Sequence, residues 1–409
     1  MIAKGNTKKQ IIRRRELMKE ELKTSAGNFT LIGEFSRGRK NPFQIDVESQ
    51  SGTGYVYNRL EMPIDCGSKY GTIYVHLQDG YNPRGTLIYC HTKDKDGKTD
   101  WKTQFTVDWD DRMNEEILKE VSEFDFITVG IEKDVKGNIV YKKFLSMYDV
   151  INYLNENLQD DSVLRVSGKI EYGYYNGNTT RQLIPNNIVL SNIVNKPDFD
   201  KANDFKATFV QEVLLSSDSI GDFDKELNEL EIKGYVASYI YKYDGKKVKK
   251  INALPYTYYF SFNDVTEKQR ELIIKKVLKV KKGVSRIVFN GEFHEGGTVV
   301  KATMDDVPDD LKELISLGLY TEEDVLGMVS TSDRQRKMVL TNLHVRKAKD
   351  EDGNVTASLQ VFPEEYDESV LDIDLSEEEN EEAKNTDASA TDDLDDVDDL
   401  EQMLKDMAL

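Results

Sequence analysis

Basic side chains interleaved with aromatic rings are the residues in this sequence whose types and spacing suit a definite chemistry. Tyr235, Tyr239, Tyr241, Lys242, Tyr243, Lys246, Lys247, Lys249 and Lys250 surround an Asp-Gly pair at 244–245 that marks a hairpin tip. At period two, Tyr235, Tyr239, Tyr241 and Tyr243 share a strand face if no bulge intervenes, and Tyr256, Tyr258 and Phe260 share a face on the next strand. Lysines placed this way neutralise phosphates, and the rings stack on exposed bases at ~1–3 kcal/mol each whatever the sequence. The same tyrosines also suit a barrel core, with the lysines keeping an edge soluble, because tyrosine is amphipathic. Two smaller groups have the same character. Lys169, Tyr172, Tyr174, Tyr175 and Arg181 surround a Gly-containing loop, and Lys275, Lys276 and Arg286 follow a helical stretch. Near the start, Arg13, Arg14 and Arg15 suit either a solvated helix face or an arm lying on phosphates.

Catalytic signatures are missing from the sequence. Gly33 to Lys40 has the glycine and the base of a phosphate loop but the wrong spacing. His76, His91, His294 and His344 are scattered singly, which argues against a zinc site, and no GxSxG elbow occurs. Asp108, Asp110 and Asp111 stand close enough to hold a magnesium ion, but such a group more often ends a strand and caps the next helix. No metal and no cofactor are expected.

The charge is unevenly divided. The chain has 75 acidic and 55 basic residues, of which 20 acids and only two lysines fall between Pro363 and Leu409. The body is therefore nearly neutral and can approach a polyanion, whereas the tail would repel one. Residues 364 to 393 have almost no rings and cannot bury enough surface to fold. Beyond them Leu394, Val397, Leu400, Leu404 and Met407 recur every three or four residues, the spacing of an amphipathic helix that forms on a partner's groove. Two distant cysteines fit a reducing compartment. No stretch reaches the ~20 apolar residues of a membrane helix, and the first residues lack the apolar core of a secretory signal. A cytoplasmic location is expected, in the host cytoplasm if the protein is viral.

The elements that must position these residues are mostly strands. Alternating runs at Phe43 to Glu48, Tyr55 to Met62, Thr72 to Leu77, Gly85 to Cys90, Gln104 to Asp108 and Phe126 to Ile131 predict β-structure. A helix fits Phe144 to Leu158, followed by strands at Val163 to Tyr172 and Arg181 to Leu190. The order then repeats. Strands are predicted at Leu230 to Tyr241, Val248 to Ala253 and Tyr256 to Phe262, then a helix opened by the capping box Thr266 and Gln269. Strands at Ser285 to Phe293 and Thr298 to Thr303, split by a turn at Glu295-Gly296-Gly297, and at Met338 to Arg346 follow. Gly168 and Gly291 occupy matching places, where a barrel strand needs a sharp bend.

These features predict a β-rich α+β protein of two OB-like five-stranded Greek-key barrel modules plus a disordered acidic C-terminal tail. The expected divisions are a basic helical arm at 1–27, modules at 28–196 and 197–349, and the tail at 350–409. The alternative is one larger β-sandwich with helical insertions.

Barrels with basic-aromatic hairpins and the terminal run Asp392-Asp393-Leu394-Asp395-Asp396-Val397-Asp398-Asp399-Leu400 resemble OB-fold single-stranded DNA-binding proteins of the tailed-bacteriophage replication type. The resemblance implies a protein that coats unwound strands in replication or recombination. It also implies a tail that recruits replication or recombination proteins and competes with DNA for the basic groove. The bacterial type ends in Pro-Phe, whereas the last residues here are Asp406-Met407-Ala408-Leu409. Two other readings stay open: a structural or virion assembly protein, and a magnesium-dependent nuclease built on Asp108, Asp110 and Asp111.

Overall fold

The structure, a computed structural model, describes residues 21–373 apart from 39–40, 51, 244, 264, most of 300–331 and 350–354. The first half contains β1 (Gly27–Phe35), β2 (Phe43–Glu48), β3 (Val56–Asp65), β4 (Thr72–Tyr81), β5 (Leu87–Lys93) and β6 (Thr99–Asp108). It continues with helix α1 (Glu115–Glu120), β7 (Ile127–Lys133), β8 (Ile139–Phe144), α2 (Met147–Asn157), β9 (Val163–Tyr175) and β10 (Asn178–Leu190). The second half has α3 (Lys201–Asp204), β11 (Lys206–Leu215), β12 (Ile220–Asp224), β13 (Glu229–Tyr243), β14 (Lys246–Ser261) and α4 (Glu267–Ile273). After α4 come β15 (Val284–Val299), β16 (Ser332–Leu343), β17 (Val345–Lys349), β18 (Val355–Leu359) and β19 (Val361–Tyr366).

Alternation drives the strands. In β1, Phe29, Leu31 and Phe35 point inward, while Asn28 on the other face is exposed. The inward side chains meet Leu60, Met62 and Ile64 of β3 and Ile73, Val75 and Leu77 of β4. Helix α2 covers this core through Met147, Val150, Ile151 and Leu154, the i, i+3, i+4 stripe of an amphipathic helix. Its N-terminus is capped by Ser146, whose Oγ accepts from Tyr148 N. At the other end Arg37 donates to the carbonyls of Asn155 and Leu158 at 3.1 and 2.9 Å, partnering acceptors that a helix end leaves over. Helix α4 opens on the capping box anticipated at Thr266 and Gln269.

The strand pairings repeat between the halves. In the second, β11 pairs with β13, β13 with β14, β14 in parallel with β16, β16 with β15, and β15 with β11 again. Five strands thereby close a ring. In the first half β1 pairs with β3 and β9, β3 with β4, β9 with β10, and β10 runs parallel to β7, while β4 lies beside β10. The halves also share a sheet, because β1 pairs with β11 over Gly27 to Ile32. A single core cluster runs from Phe29 through Phe209 to Leu340.

The matched glycines mark the same irregularity in both halves. Opposite Gly168 the register of β10 slips between Pro185 and Asn187, and at Gly291 that of β16 slips between Leu340 and Asn342. A Cβ on Gly168 would stand 2.0 Å from the Ile184 carbonyl oxygen, and one on Gly291 would stand 2.1 Å from Phe209. Gly168→Ala is therefore expected to destabilise the chain by ~1–3 kcal/mol, the usual range for overpacking, because the obstructing atom is backbone. A thermal or urea midpoint equal to that of the native chain would show that β10 yields freely at this point.

Three expectations need correction. The turn at Glu295-Gly296-Gly297 is absent: β15 runs on to Val299, paired with β16, because Glu295 N also donates to Tyr70 O at 2.7 Å. The anticipated break between Ala253 and Tyr256 is likewise absent, since β14 is continuous across Pro255. The tail does not begin at 350. Residues 355–373 include β18, β19 and the turn Glu368–Leu371, and β19 pairs with β15. Glu365 of β19 holds Arg286 at 2.5 and 2.8 Å, so this stretch is acidic but docked. The remaining tail, with Leu394, Val397, Leu400, Leu404 and Met407, lies outside the described residues, as does the arm with Arg13, Arg14 and Arg15.

Candidate nucleic-acid interface

Two hairpins, one from each half, meet at the aromatic-basic sequences. The β9–β10 hairpin turns at Asn176 and Gly177, both at positive φ, and β13–β14 turns at Gly245. Tyr174 of the first stacks on Tyr243 of the second with ring centroids 4.1 Å apart and planes 21° from parallel. On β13 the register slips between Ile240 and Lys242, so Tyr241 lies in a bulge. Lys247 and Lys249 of β14 hold their ammonium groups 5.9 and 5.1 Å from its ring, a cation–π arrangement. Lys249 sits at φ +48°, in the left-handed region, opposite this bulge.

Exposure follows from that geometry. Tyr239 is 56% exposed. Lys246, Lys247 and Lys249 are exposed, whereas Tyr241, Lys242 and Tyr243 are half-buried. Beside the hairpin a groove of 520 Å³ opens between the halves, lined by Asn28, Lys169, Glu171, Tyr172, Ser238 and Tyr239 among others. Lys169 is exposed and pairs with Glu171, its neighbour on the same strand face. Tyr175 closes the β9 end of the first hairpin and is half-buried.

Other anticipated residues are taken out of this surface. Tyr172 and Tyr258 are core residues: the Tyr172 hydroxyl donates to Gln211 Oε1 at 3.1 Å and lies 3.4 Å from that of Tyr258. Burial pushes both phenols up from their ordinary range. Arg181 is buried and paired with Glu295, its guanidinium 4.8 Å from the Phe293 ring centroid. Arg286 is held between Glu212 at 2.9 Å and Glu365 at 2.5 Å. For Tyr172 and Tyr258 the reason is that a sequence pattern does not say whether an alternating face points to water or to the core; for Arg181 and Arg286 it is a carboxylate supplied from far along the chain. Lys275 and Lys276 are exposed on the π-turn Ile274–Leu278, at the opposite end of β14 from the hairpin tip.

The acidic run has a local role. Trp109–Asp111 is a single 3-10 turn, and Arg112 after it stacks on Trp109 at 4.1 Å and bonds Asp149 at 2.8 and 3.1 Å. Among the described residues no group of three His, Cys, Asp or Glu side chains is placed to hold a metal ion. At the seam between the halves Glu292 receives Lys69 at 2.8 Å, and His294 stands 3.5 Å away. His294, Lys69 and Tyr70 together bring its carboxyl down to about 2. Sequence reasoning missed one exposed ring cluster, Tyr89, Trp101 and Phe124, whose members are 12 and more residues apart and show no periodicity.

No family model and no curated protein matches this chain. In structure it is similar to a deletion mutant of the single-stranded DNA binding protein from Thermus aquaticus. The match has 8% identity and a TM-score of 0.28, covering 66% of this chain and 88% of that one. Among the described residues no helix is long and apolar enough to cross a membrane.

Proposed function

We propose that this chain is a non-catalytic single-stranded DNA-binding protein, and that the two touching hairpins form its binding surface. The observation that carries this reading is the set Tyr174, Tyr239, Tyr241 and Tyr243 among Lys242, Lys246, Lys247 and Lys249, with a 4.1 Å ring stack joining the halves. Each lysine supplies a charge for a phosphate, and each ring edge or face offers a platform for an unpaired base. Duplex DNA hides its base faces, so such rings favour single strands. The closed ring β11-β13-β14-β16-β15, with β14 and β16 parallel, supports an OB-like barrel in the second half, and the first half follows the same order.

A replication or recombination setting and recruitment of partner proteins by the acidic residues after Ile373 belong to the same proposal. The tail charge suits competition with DNA for the lysines, so removing residues 374–409 is expected to tighten binding and to steepen its salt dependence. The truncation spares β19, which the fold needs. A labelled oligo-dT titration at two salt concentrations, with and without those residues, tests the proposal. If neither form retains the oligonucleotide at low salt, the chain does not bind single strands.

A further inference from the structure

The segment between β4 and β7 is a small unit with its own core. Strands β5 and β6 form a separate two-stranded sheet, and with α1 they enclose Cys90, Val107, Val121, Phe126 and Leu145. The other face of this unit is open, and it carries large rings beside the polar Gln104, Thr106 and Asp108 of β6. Leu87 and Tyr89 are 50% and 71% exposed, and Trp101 and Phe124 are each 62% exposed. Trp101 and Phe124 meet edge to face at 4.7 Å, and His91 packs against them at 5.2 and 6.1 Å. Asp125 fixes His91 through both its backbone N–H and its Nδ1, at 2.6 and 3.0 Å. A contiguous patch of large exposed rings on a braced sheet is the signature of a docking site.

Charge selects the occupant. Residues 82–126 carry eleven Asp and Glu against seven Lys and Arg, so a polyanion is repelled from this unit although the rest of the body is nearly neutral. The complement must be basic with apolar anchors. Residues 1–20 carry seven Lys and Arg against two Glu, together with Ile11, Ile12, Leu17 and Met18.

We propose that residues 1–20 of one copy dock on the Tyr89, Trp101 and Phe124 face of a second copy. Leu22 packs with Leu214, Ala237, Ala253 and Tyr366, which starts the segment on the second half, whereas the acceptor face belongs to the first half. The β5–β6 unit emerges beside β7 and β8, at the opposite end of the strand order. Arg13, Arg14 and Arg15 then face carboxylates of a neighbouring chain instead of phosphates. The contact links chains head to tail, a heterologous interface that propagates.

The test uses Trp101 as the reporter. The chain has two tryptophans, and Trp109→Phe leaves the exposed one alone. In that background, without nucleic acid, Trp101 emission is expected to shift to the blue as protein concentration rises. Acrylamide quenching is expected to fall several-fold over the same range, and salt should reverse both effects. Deleting residues 1–20 should abolish the change at every concentration, and a synthetic peptide of residues 1–20 added to the deleted chain should restore it. Phe124→Ser should weaken the peptide response several-fold. Trp101 emission that ignores both concentration and the peptide overturns the docking. Protection that is lost on deletion but independent of concentration assigns the arm to its own chain and overturns the second-copy contact. Each outcome is read without DNA, so it stands apart from the fate of the DNA-binding reading.

Discussion

Glu295→Ala is expected to destabilise the chain by roughly 3–5 kcal/mol, the cost of stranding one charge of a buried pair. Glu295 and Arg181 have side chains only 4% and 9% exposed, and they come from opposite halves, β15 and β10. Burial opposes the charge on Arg181, but Tyr256, Glu295 and Tyr172 outweigh it and hold its proton more tightly than usual. A guanidinium cannot escape by deprotonating, so without Glu295 it must draw in water or separate the halves. The backbone offers no slack here, because a Cβ on Gly71 would stand 1.4 Å from the Glu295 carbonyl oxygen. The double variant Arg181→Met, Glu295→Leu should recover most of the loss, since apolar replacement of a buried pair is often neutral or stabilising. Urea unfolding of the two variants and the native chain decides it. A shift below about 1 kcal/mol for Glu295→Ala would place it among ordinary surface substitutions and show that the pair does not hold the seam.

The order of elements was legible in the sequence because local signals carry it. The capping box at Thr266, the apolar stripe of α2 and the matched glycines at 168 and 291 depend on near neighbours, and all three recur in the structure as anticipated. What was illegible depends on distant partners. Arg286 looked like a free base in a lysine-rich stretch, but its carboxylates lie 74 and 79 residues away. Glu365 looked like tail for the same reason. The tyrosines divide by parity and by one bulge: Tyr258 faces inward, while the slip at Tyr241 carries the β13 end out of the core alternation. Only the register of the folded sheet decides such cases. The ring cluster of Tyr89, Trp101 and Phe124 escaped notice because a strand, a second strand and a short turn each supply one member.

Replacing Lys246, Lys247 and Lys249 together by alanine is expected to flatten the salt dependence of oligo-dT binding by about two in the logarithmic slope. Each phosphate contact on a single strand contributes roughly 0.7. Tyr239→Ala and Tyr174→Ala should each cost ~1–3 kcal/mol at fixed salt, leaving the slope nearly unchanged, because stacking releases no counterions. Tyr174→Phe keeps the ring against Tyr243 and should bind almost as the native chain does. The decisive comparison is Lys275→Ala with Lys276→Ala and Lys279→Ala, which removes the same charge from the opposite end of β14. A contact surface at the hairpins predicts a large change in slope from the first triple and a small one from the second. Equal losses from both would mean that the strand is held by diffuse attraction to a basic body, and that the stacked tyrosines serve only to join the two halves.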